Sequence, residues 1–373
     1  MRLSTTALTL TTLILAGCAS HHNPAQAASA AAPSESERLL KPAVATPQAP
    51  AANTLAATGR DPAQFPAYVE QLRSEALAQG LSQQTVDGAF ANVHFVDRVI
   101  KSDRNQLEKK ITLDVYLQRV LSASKTRQGR EMMRKYQPQL ARATARYGVP
   151  ERYIVALWAM ESHFGKIQGK EDVVSALATL AFEGRREAFF RKQLLAALQI
   201  IEQGHVTAGQ LKGSWAGAMG QSQFMPSSFL TYGADGDGDG RIDIWNNVDD
   251  VFASTANYLA TEGWQAGSSW GREVKLPAGF SAGDLGLKTR GRTVNQWAAM
   301  GVTQPDGAAL PDATLRSWVI TPDDAQGRAF LVYDNFRTIM HWNRSYYFAI
   351  SVGMTGGCRW AISRSGGPSA IRR

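Results

Sequence analysis

From Phe65 onward, large apolar residues recur at the three- and four-residue spacing of helices. Tyr68, Val69, Leu72 and Leu77 open the pattern, and Val115, Tyr116, Arg119 and Val120 continue it. Residues 130–146 predict a further basic helix, closed by Tyr147-Gly148-Val149-Pro150. Phe190, Leu194, Ala197, Leu198 and Ile201 mark one face of a strongly amphipathic helix. Between about residues 273 and 334 the helical period weakens, and residues 314–320 and 329–333 predict strands between Gly, Pro and Asp turns. No internal repeat is visible. The chain therefore reads as mainly α (α+β), with a small mixed segment near its C-terminal end.

The N-terminus sets the compartment. Arg2 precedes an apolar run over residues 8–15, too short for a transmembrane helix and suited to the core of a signal peptide. It closes with Leu15-Ala16-Gly17-Cys18, a lipobox in which small residues fit a signal peptidase and the Cys18 thiol accepts diacylglycerol. Residues 1–18 are thus expected to be a lipoprotein signal. Ala19 in place of Asp points to sorting to the periplasmic face of the outer membrane, with Cys18 as the membrane anchor. Residues 19–61 are an Ala/Pro-rich tether with a reach of roughly 35 Å, and His21-His22 within it reads as solvated linker. With Cys18 lipidated, Cys358 has no intrachain partner and no disulfide is expected. Residues 358–373 are Gly-, Ser- and Arg-rich and read as a frayed tail.

Composition adds little to this. A chain of 373 residues with 44% hydrophobic content can form one large or two modest cores, and 19% charged residues excludes a polyelectrolyte. The net charge of +8 favours an anionic partner: nucleic acid, phospholipid headgroups or a carboxylate-rich polymer. The compartment and the lack of a recognised binding motif argue against nucleic acid.

The strongest chemical signal lies in residues 150–166. Pro150 sits where a helix can start. Ile154, Leu157, Trp158 and Glu161 then share one helical face, so Glu161 lies on the apolar stripe. Removal from water favours the neutral carboxyl, which can then serve as a general acid near neutral pH. His163 and Gly165 end the helix, leaving Glu161 near an edge. The structural alternative is a buried glutamate paired with an arginine.

A second signal is Asp235-Gly236-Asp237-Gly238-Asp239-Gly240-Arg241-Ile242-Asp243, which fits the start of an EF-hand loop. Asp235, Asp237, Asp239 and Asp243 offer oxygens at positions one, three, five and nine, Gly240 allows the turn at six, and Arg241 offers a carbonyl at seven. Position twelve is Asn246 rather than glutamate. A solvated acidic turn is the alternative. Because only one loop is present, a bound calcium ion is expected to clamp structure rather than to signal.

Three segments carry a family resemblance: Leu157-Trp158-Ala159-Met160-Glu161-Ser162-His163-Phe164-Gly165, then Ala216-Gly217-Ala218-Met219-Gly220 with Gln223-Phe224-Met225-Pro226-Ser227-Ser228, and Trp342-Asn343-Arg344-Ser345. Together they resemble the membrane-bound lytic murein transglycosylase B family, from about Phe65 to Gly356. The resemblance implies a lysozyme-like helical core, a helical N-terminal subdomain and a small inserted mixed α/β subdomain at about 273–334, within a catalytic domain spanning residues 62–357.

It also implies cleavage of peptidoglycan glycan strands without water, leaving 1,6-anhydro-MurNAc ends, with Glu161 as the family's single catalytic carboxylate and the substrate acetamido group assisting. From sequence alone Glu171, Asp172 and Glu183 stay open as second carboxylates. By the same resemblance Tyr116, Ser162, Arg185, Arg186, Ser222, Gln223, Phe224, Trp342 and Asn343 bind substrate. Two arginines at a helix N-terminus oppose its dipole, so another group must hold them there. Trp342 stands where tyrosine is usual, and Phe348 replaces another tyrosine, which removes two hydroxyls. Asp249 is the calcium-closing ligand the resemblance implies, in an EF-hand-like loop over 235–249. Rival readings are a catalytically silent peptidoglycan-binding lipoprotein and a hydrolytic muramidase. Cell-wall synthesis or division proteins are the expected protein partners; no organic cofactor is expected.

Overall fold

The computed structural model describes residues 60–105, 111–324 and 327–356. The lipobox with Cys18, the tether up to residue 59, Cys358 and the tail lie outside the described residues. The fold begins slightly before the expected end of the tether. Arg60 donates to the Phe182 carbonyl at 2.8 Å and to Glu187 at 2.6 Å, and Asp61 caps a short 3-10 turn, Pro62–Gln64.

Helices α1 (Phe65–Ala78), α2 (Gln83–Phe90) and α3 (Asp97–Arg104) come first. They are followed by α4 (Leu113–Val120), α5 (Ala123–Lys135), α6 (Gln137–Tyr147) and α7 (Glu151–Ser162). Ser82, Thr112 and Ser122 start α2, α4 and α5 by accepting a backbone N–H in the first turn, each contributing about 1 kcal/mol. The single basic helix expected over 130–146 is two helices. Tyr136 leaves helical geometry, and Pro138, which has no N–H to give, occupies the first turn of α6. Tyr68 and Leu72 are buried as the pattern predicted, whereas Leu77 is exposed.

The remaining chain supplies a two-residue strand β1 (Glu171–Asp172), α8 (Val173–Glu183) and α9 (Glu187–Glu202). Strand β2 (Lys212–Gly213) pairs antiparallel with β1 and is followed by α10 (Pro226–Tyr232) and α11 (Val248–Thr261). Helices α1 to α3 pack on α8 and α9, while α5, α6, α11 and α14 (Tyr346–Met354) surround α7. That surround changes the picture drawn from the pattern. Every residue of α7 from Tyr153 to Ala159 is buried, so the predicted stripe belongs to a helix enclosed on nearly all sides.

The mixed segment runs from β3 (Gly271–Val274) through β4 (Arg292–Thr293), α12 (Val294–Ala299), β5 (Arg316–Ile320) and β6 (Ala329–Val332). Its four strands form an antiparallel sheet in the order β3-β6-β5-β4, with Val319 opposite Leu331. Val274, Trp297, Val319 and Leu331 give it a small core of its own, and the Trp297 indole donates to the Ser317 carbonyl. Helix α13 (Asp334–Trp342) then returns the chain to the helical core before α14.

Candidate active site

Glu161 occupies the last turn of α7. The helix stops there because His163, Phe164 and Gly165 take left-handed backbone conformations in succession, with φ of 52°, 59° and 80°. For the two non-glycine residues this costs roughly 1–2 kcal/mol each. Buried contacts hold the turn. The Ser162 hydroxyl donates to the Trp158 carbonyl and accepts the Gly165 N–H, and the Phe164 ring packs edge-on against Trp158. Gln221 locks the turn from the other side. Its Oε1 accepts the Trp158 indole N–H at 2.8 Å, and its Nε2 donates to the Trp245 carbonyl at 2.9 Å. A side chain at Gly165 would collide with Gln221.

The Glu161 side chain is half-buried, and its Oε1 accepts the indole N–H of Trp342 at 2.8 Å. Burial pushes its pKa up to about 7, against the pull of that hydrogen bond. Among the described residues no arginine or lysine forms an ion pair with it, so the arginine-paired structural alternative is not realised. Tyr116 on α4 stands close enough that, after burial, the Glu161 charge helps push its phenol up to about 12.

Trp342 is braced by aromatic rings, with Phe224 at 5.2 Å and Tyr258 at 4.7 Å between centroids. Phe224 is buried, so it backs Trp342 rather than facing solvent. The hydroxyl lost with tyrosine at position 342 is replaced by an indole donor. Phe348 is buried in the helical core.

The other predicted residues are distributed unevenly. Gln223 takes a left-handed φ of 49° and spends its amide donors on the carbonyls of Gln168 and Gly220. Asn343 closes α13 and accepts the Ser345 N–H. Ser162 and Ser222 depart from the expectation that they bind substrate, because both are fully buried. Ser162 is used by the turn, and the Ser222 hydroxyl lies 3.5 Å from that of Thr255.

Arg185 and Arg186 turn toward the buried Asp103 at the end of α3, and Arg186 also lies over the rings of Phe189 and Phe190. Asp103 thus balances arginine charge at the N-terminus of α9, a place the resemblance had given to substrate carboxylates. The candidate second carboxylates are engaged elsewhere. Glu171 pairs with Arg98, Asp172 caps α8 and binds Lys212, and Glu183 is buried against Arg104.

The acidic loop closes differently from its expected ligand set. Oxygens of Asp235, Asp237 and Asp250 lie within 4.8 Å of one another. Asp249 instead pairs with Arg142, Asp243 pairs with Arg241, and Asp239 accepts the Arg241 N–H. Asp250 is buried and anchors both ends of the loop, accepting from Gly236 and Asp243 N–H groups at 2.7 Å. Burial pushes its carboxyl up to about 6, with Asp237 and Asp235 repelling the charged form. Gly240, at φ 88°, provides the turn at position six. Three converging carboxylates, with Asp235 held charged by the Gly238 and Gly240 N–H groups, fit a hard divalent cation.

Sequence reasoning missed Gln221, Tyr258 and Asp250. Gln221 immediately precedes the predicted Ser222 and Gln223, and Asp250 is adjacent to Asp249. The one-residue differences that turn these side chains inward arise only from tertiary packing.

A mainly helical domain with a mixed insert, whose central helix ends on a carboxyl of raised pKa against an aromatic wall, defines a lysozyme-like transglycosylase fold. The chain belongs to the family described as the transglycosylase SLT domain, whose profile matches residues 64–356. It is 35% identical over 247 residues to membrane-bound lytic murein transglycosylase B of Escherichia coli (strain K12), which is 65% of this chain and 65% of that relative, just under two thirds of its length.

Among solved structures, it resembles SltB3 from Pseudomonas aeruginosa in complex with NAG-anhNAM-pentapeptide, at 42% identity and a TM-score of 0.76 over 78% of each chain. It also resembles the Escherichia coli lytic transglycosylase Slt35 in complex with calcium, at 29% identity and a TM-score of 0.68, covering 78% of this chain and 91% of that one.

Proposed function

We propose that this protein is a peptidoglycan lytic transglycosylase that cleaves the MurNAc-β-1,4-GlcNAc bond without water. The observation that carries this reading is Glu161: a carboxyl pushed up to about 7, with an indole donor and no cationic partner among the described residues. Such a group is part protonated at neutral pH and can deliver and retrieve one proton. Glu161 protonates the bridging oxygen, which leaves as the GlcNAc 4-hydroxyl, while the MurNAc 2-acetamido oxygen attacks C1. The C6 hydroxyl then displaces the acetamido oxygen and returns its proton to Glu161, closing the 1,6-anhydro ring. Ordinary two-carboxylate mechanisms need a second carboxylate as base or nucleophile; Glu171, Asp172 and Glu183 are each committed to basic or capping partners.

The reading extends to binding and compartment. Tyr116, Gln223, Trp342 and Asn343 are the proposed sugar contacts, and calcium is the proposed occupant of the Asp235–Asp237–Asp250 cluster, where it would neutralise the three carboxylates and fix the loop. Cys18 is the proposed lipid anchor to the periplasmic face of the outer membrane. No helix of the described residues is long and apolar enough to cross a membrane, which fits an anchor outside the folded domain.

Mass spectrometry of products released from purified sacculi tests the reaction. Products one water lighter than hydrolysis products, ending in 1,6-anhydro-muramic acid and absent with Glu161→Gln, are expected. Reducing ends would make the protein a hydrolase. No release by folded, calcium-loaded protein would make it a binding protein.

A further inference from the structure

The Trp342 indole belongs to a closed circuit of contacts that runs through three helix ends. Its ring lies 4.7 Å from Tyr258 on α11, and Tyr258 lies 4.4 Å from Tyr232, the last residue of α10. Glu262, the residue after α11, completes the circuit on its polar side. One of its carboxylate oxygens accepts the Tyr232 hydroxyl. The other lies 2.8 Å from Nδ1 of His341, which precedes Trp342 in the last turn of α13. Thr338, one turn earlier on α13, donates its hydroxyl to the Glu262 carbonyl at 3.4 Å. The ends of α10, α11 and α13 are therefore joined at one residue.

Glu262 stands where a carboxylate is electrostatically misplaced. The C-terminus of a helix is the negative end of its dipole, so an acid just past α11 is disfavoured unless donors compensate it. Tyr232 and His341 are those partners, and neither is Glu161 or a proposed sugar contact. Ring contacts accept a range of offsets, with centroids anywhere from about 4.5 to 7 Å apart. The 2.8 Å bond from the Trp342 N–H to Glu161 is less tolerant, because a hydrogen bond weakens steeply as its donor moves out of line. The aromatic wall alone leaves that bond free to lengthen; the directional contacts at Glu262 fix the end of α13 against α10 and α11.

We propose that Glu262 is a positioning residue for Glu161: it anchors the end of α13 and so keeps the Trp342 donor in line with the Glu161 carboxylate. The effect on turnover rests on the cleavage reading, whereas the bond from Trp342 to Glu161 does not.

The test compares full-length wild-type protein with Glu262→Ala, Glu262→Gln and Tyr232→Phe, and follows that bond in two ways. One is the alkaline limb of the pH–rate profile on glycan strands. The other is the pH titration of the Trp342 indole N–H resonance by NMR, assigned by its absence from Trp342→Phe, which reports Glu161 without turnover. Glu262→Ala should move both upward by about one pH unit, because a loosened donor no longer favours the carboxylate. It should lower kcat about fivefold with KM unchanged. Loss of the Glu262 charge by itself would act the opposite way, since removing a negative neighbour lowers the pKa of an acid. Glu262→Gln keeps an acceptor for Tyr232 and an amide partner for His341, so it should restore most of both shifts. Tyr232→Phe deletes one hydroxyl and no charge; it should give a smaller upward shift, and it decides the matter if Glu262→Ala does not fold. Tyr116, the titratable group that faces Glu161 from α4, is untouched in every variant.

An unmoved or acid-shifted titration in folded Glu262→Ala would overturn the proposal. A Glu262→Gln protein as impaired as Glu262→Ala, or a wild-type indole resonance that does not titrate, would do the same. Failure of every protein to cleave, wild type included, counts against the cleavage reading alone, because the indole titration still gives its answer.

Discussion

Asp323, in the turn between β5 and β6, accepts the backbone N–H of Leu113 at 2.9 Å, so the mixed insert caps the helix that carries Tyr116. The same carboxylate accepts the Tyr347 hydroxyl, and the Tyr347 ring lies 5.5 Å from that of Tyr116. Arg328 adds a second tie by bridging Glu273 of the insert to Asp114 of α4 at 2.6 Å and 2.8 Å. The insert thereby fixes the position of α4 at a distance from the chemistry, through backbone and ring contacts rather than through substrate.

Asp323→Ala should therefore impair the site more than the fold. Loss of one cap and one tyrosine partner is expected to lower stability by about 1–2 kcal/mol and kcat/KM several-fold. Arg328→Gln, which leaves the Leu113 contact intact, should lower kcat/KM less. Thermal melts and initial rates on purified glycan strands check this; equal activity losses in the two variants would count against the clamp.

Trp342→Phe tests the indole donor. The Trp342 N–H favours the carboxylate of Glu161 and so holds down a pKa that burial alone would raise further. Glu161 must be protonated to start the reaction, so activity falls as pH rises through about 7. Removing the donor should move this alkaline limb to higher pH and lower the maximal rate. A pH–rate profile with an unmoved or acid-shifted limb would contradict the assignment.

The same raised pKa makes a prediction about stability. In the unfolded chain Glu161 titrates near 4.5, and in the fold near 7, so folding favours the protonated form. That contribution is intact below pH 4.5 and is lost as pH rises to about 7, at most roughly 3 kcal/mol in total. Glu161→Gln is neutral at every pH. Its melting temperature should exceed that of wild type by a margin that grows between these limits and then levels off. A margin independent of pH would show that Glu161 is not desolvated.

Calcium should stabilise the wild-type protein through Asp235, Asp237 and Asp250. At about one hundred times its dissociation constant a bound ion contributes about 2.7 kcal/mol, enough to raise the melting temperature by several degrees. Asp237→Asn should lose most of that rise, whereas Asp239→Asn, at an exposed site outside the cluster, should keep it. Melting curves in calcium and in chelator distinguish the two; equal loss in both variants would return Asp239 to the ligand set.

The division between what the chain spells out and what packing decides is visible at individual residues. Glu161 was legible because a charge on an apolar helical stripe is anomalous whatever surrounds the helix. The short apolar strands of the insert and the spacing of the acidic loop were legible for the same reason, since each is a local rule of backbone geometry.

Only the tertiary structure decided that Trp342 donates to Glu161 across 181 positions, and that Gln221, immediately before two predicted sugar contacts, is the residue that locks the turn. It also decided that Asp250 lies with Asp235 and Asp237 while Asp249 pairs with Arg142, and that Asp103 holds Arg185 and Arg186. Those choices depend on which side of a helix faces a neighbour formed far away in the chain. A local pattern states how often a residue turns inward; the neighbour it meets there is set by long-range packing.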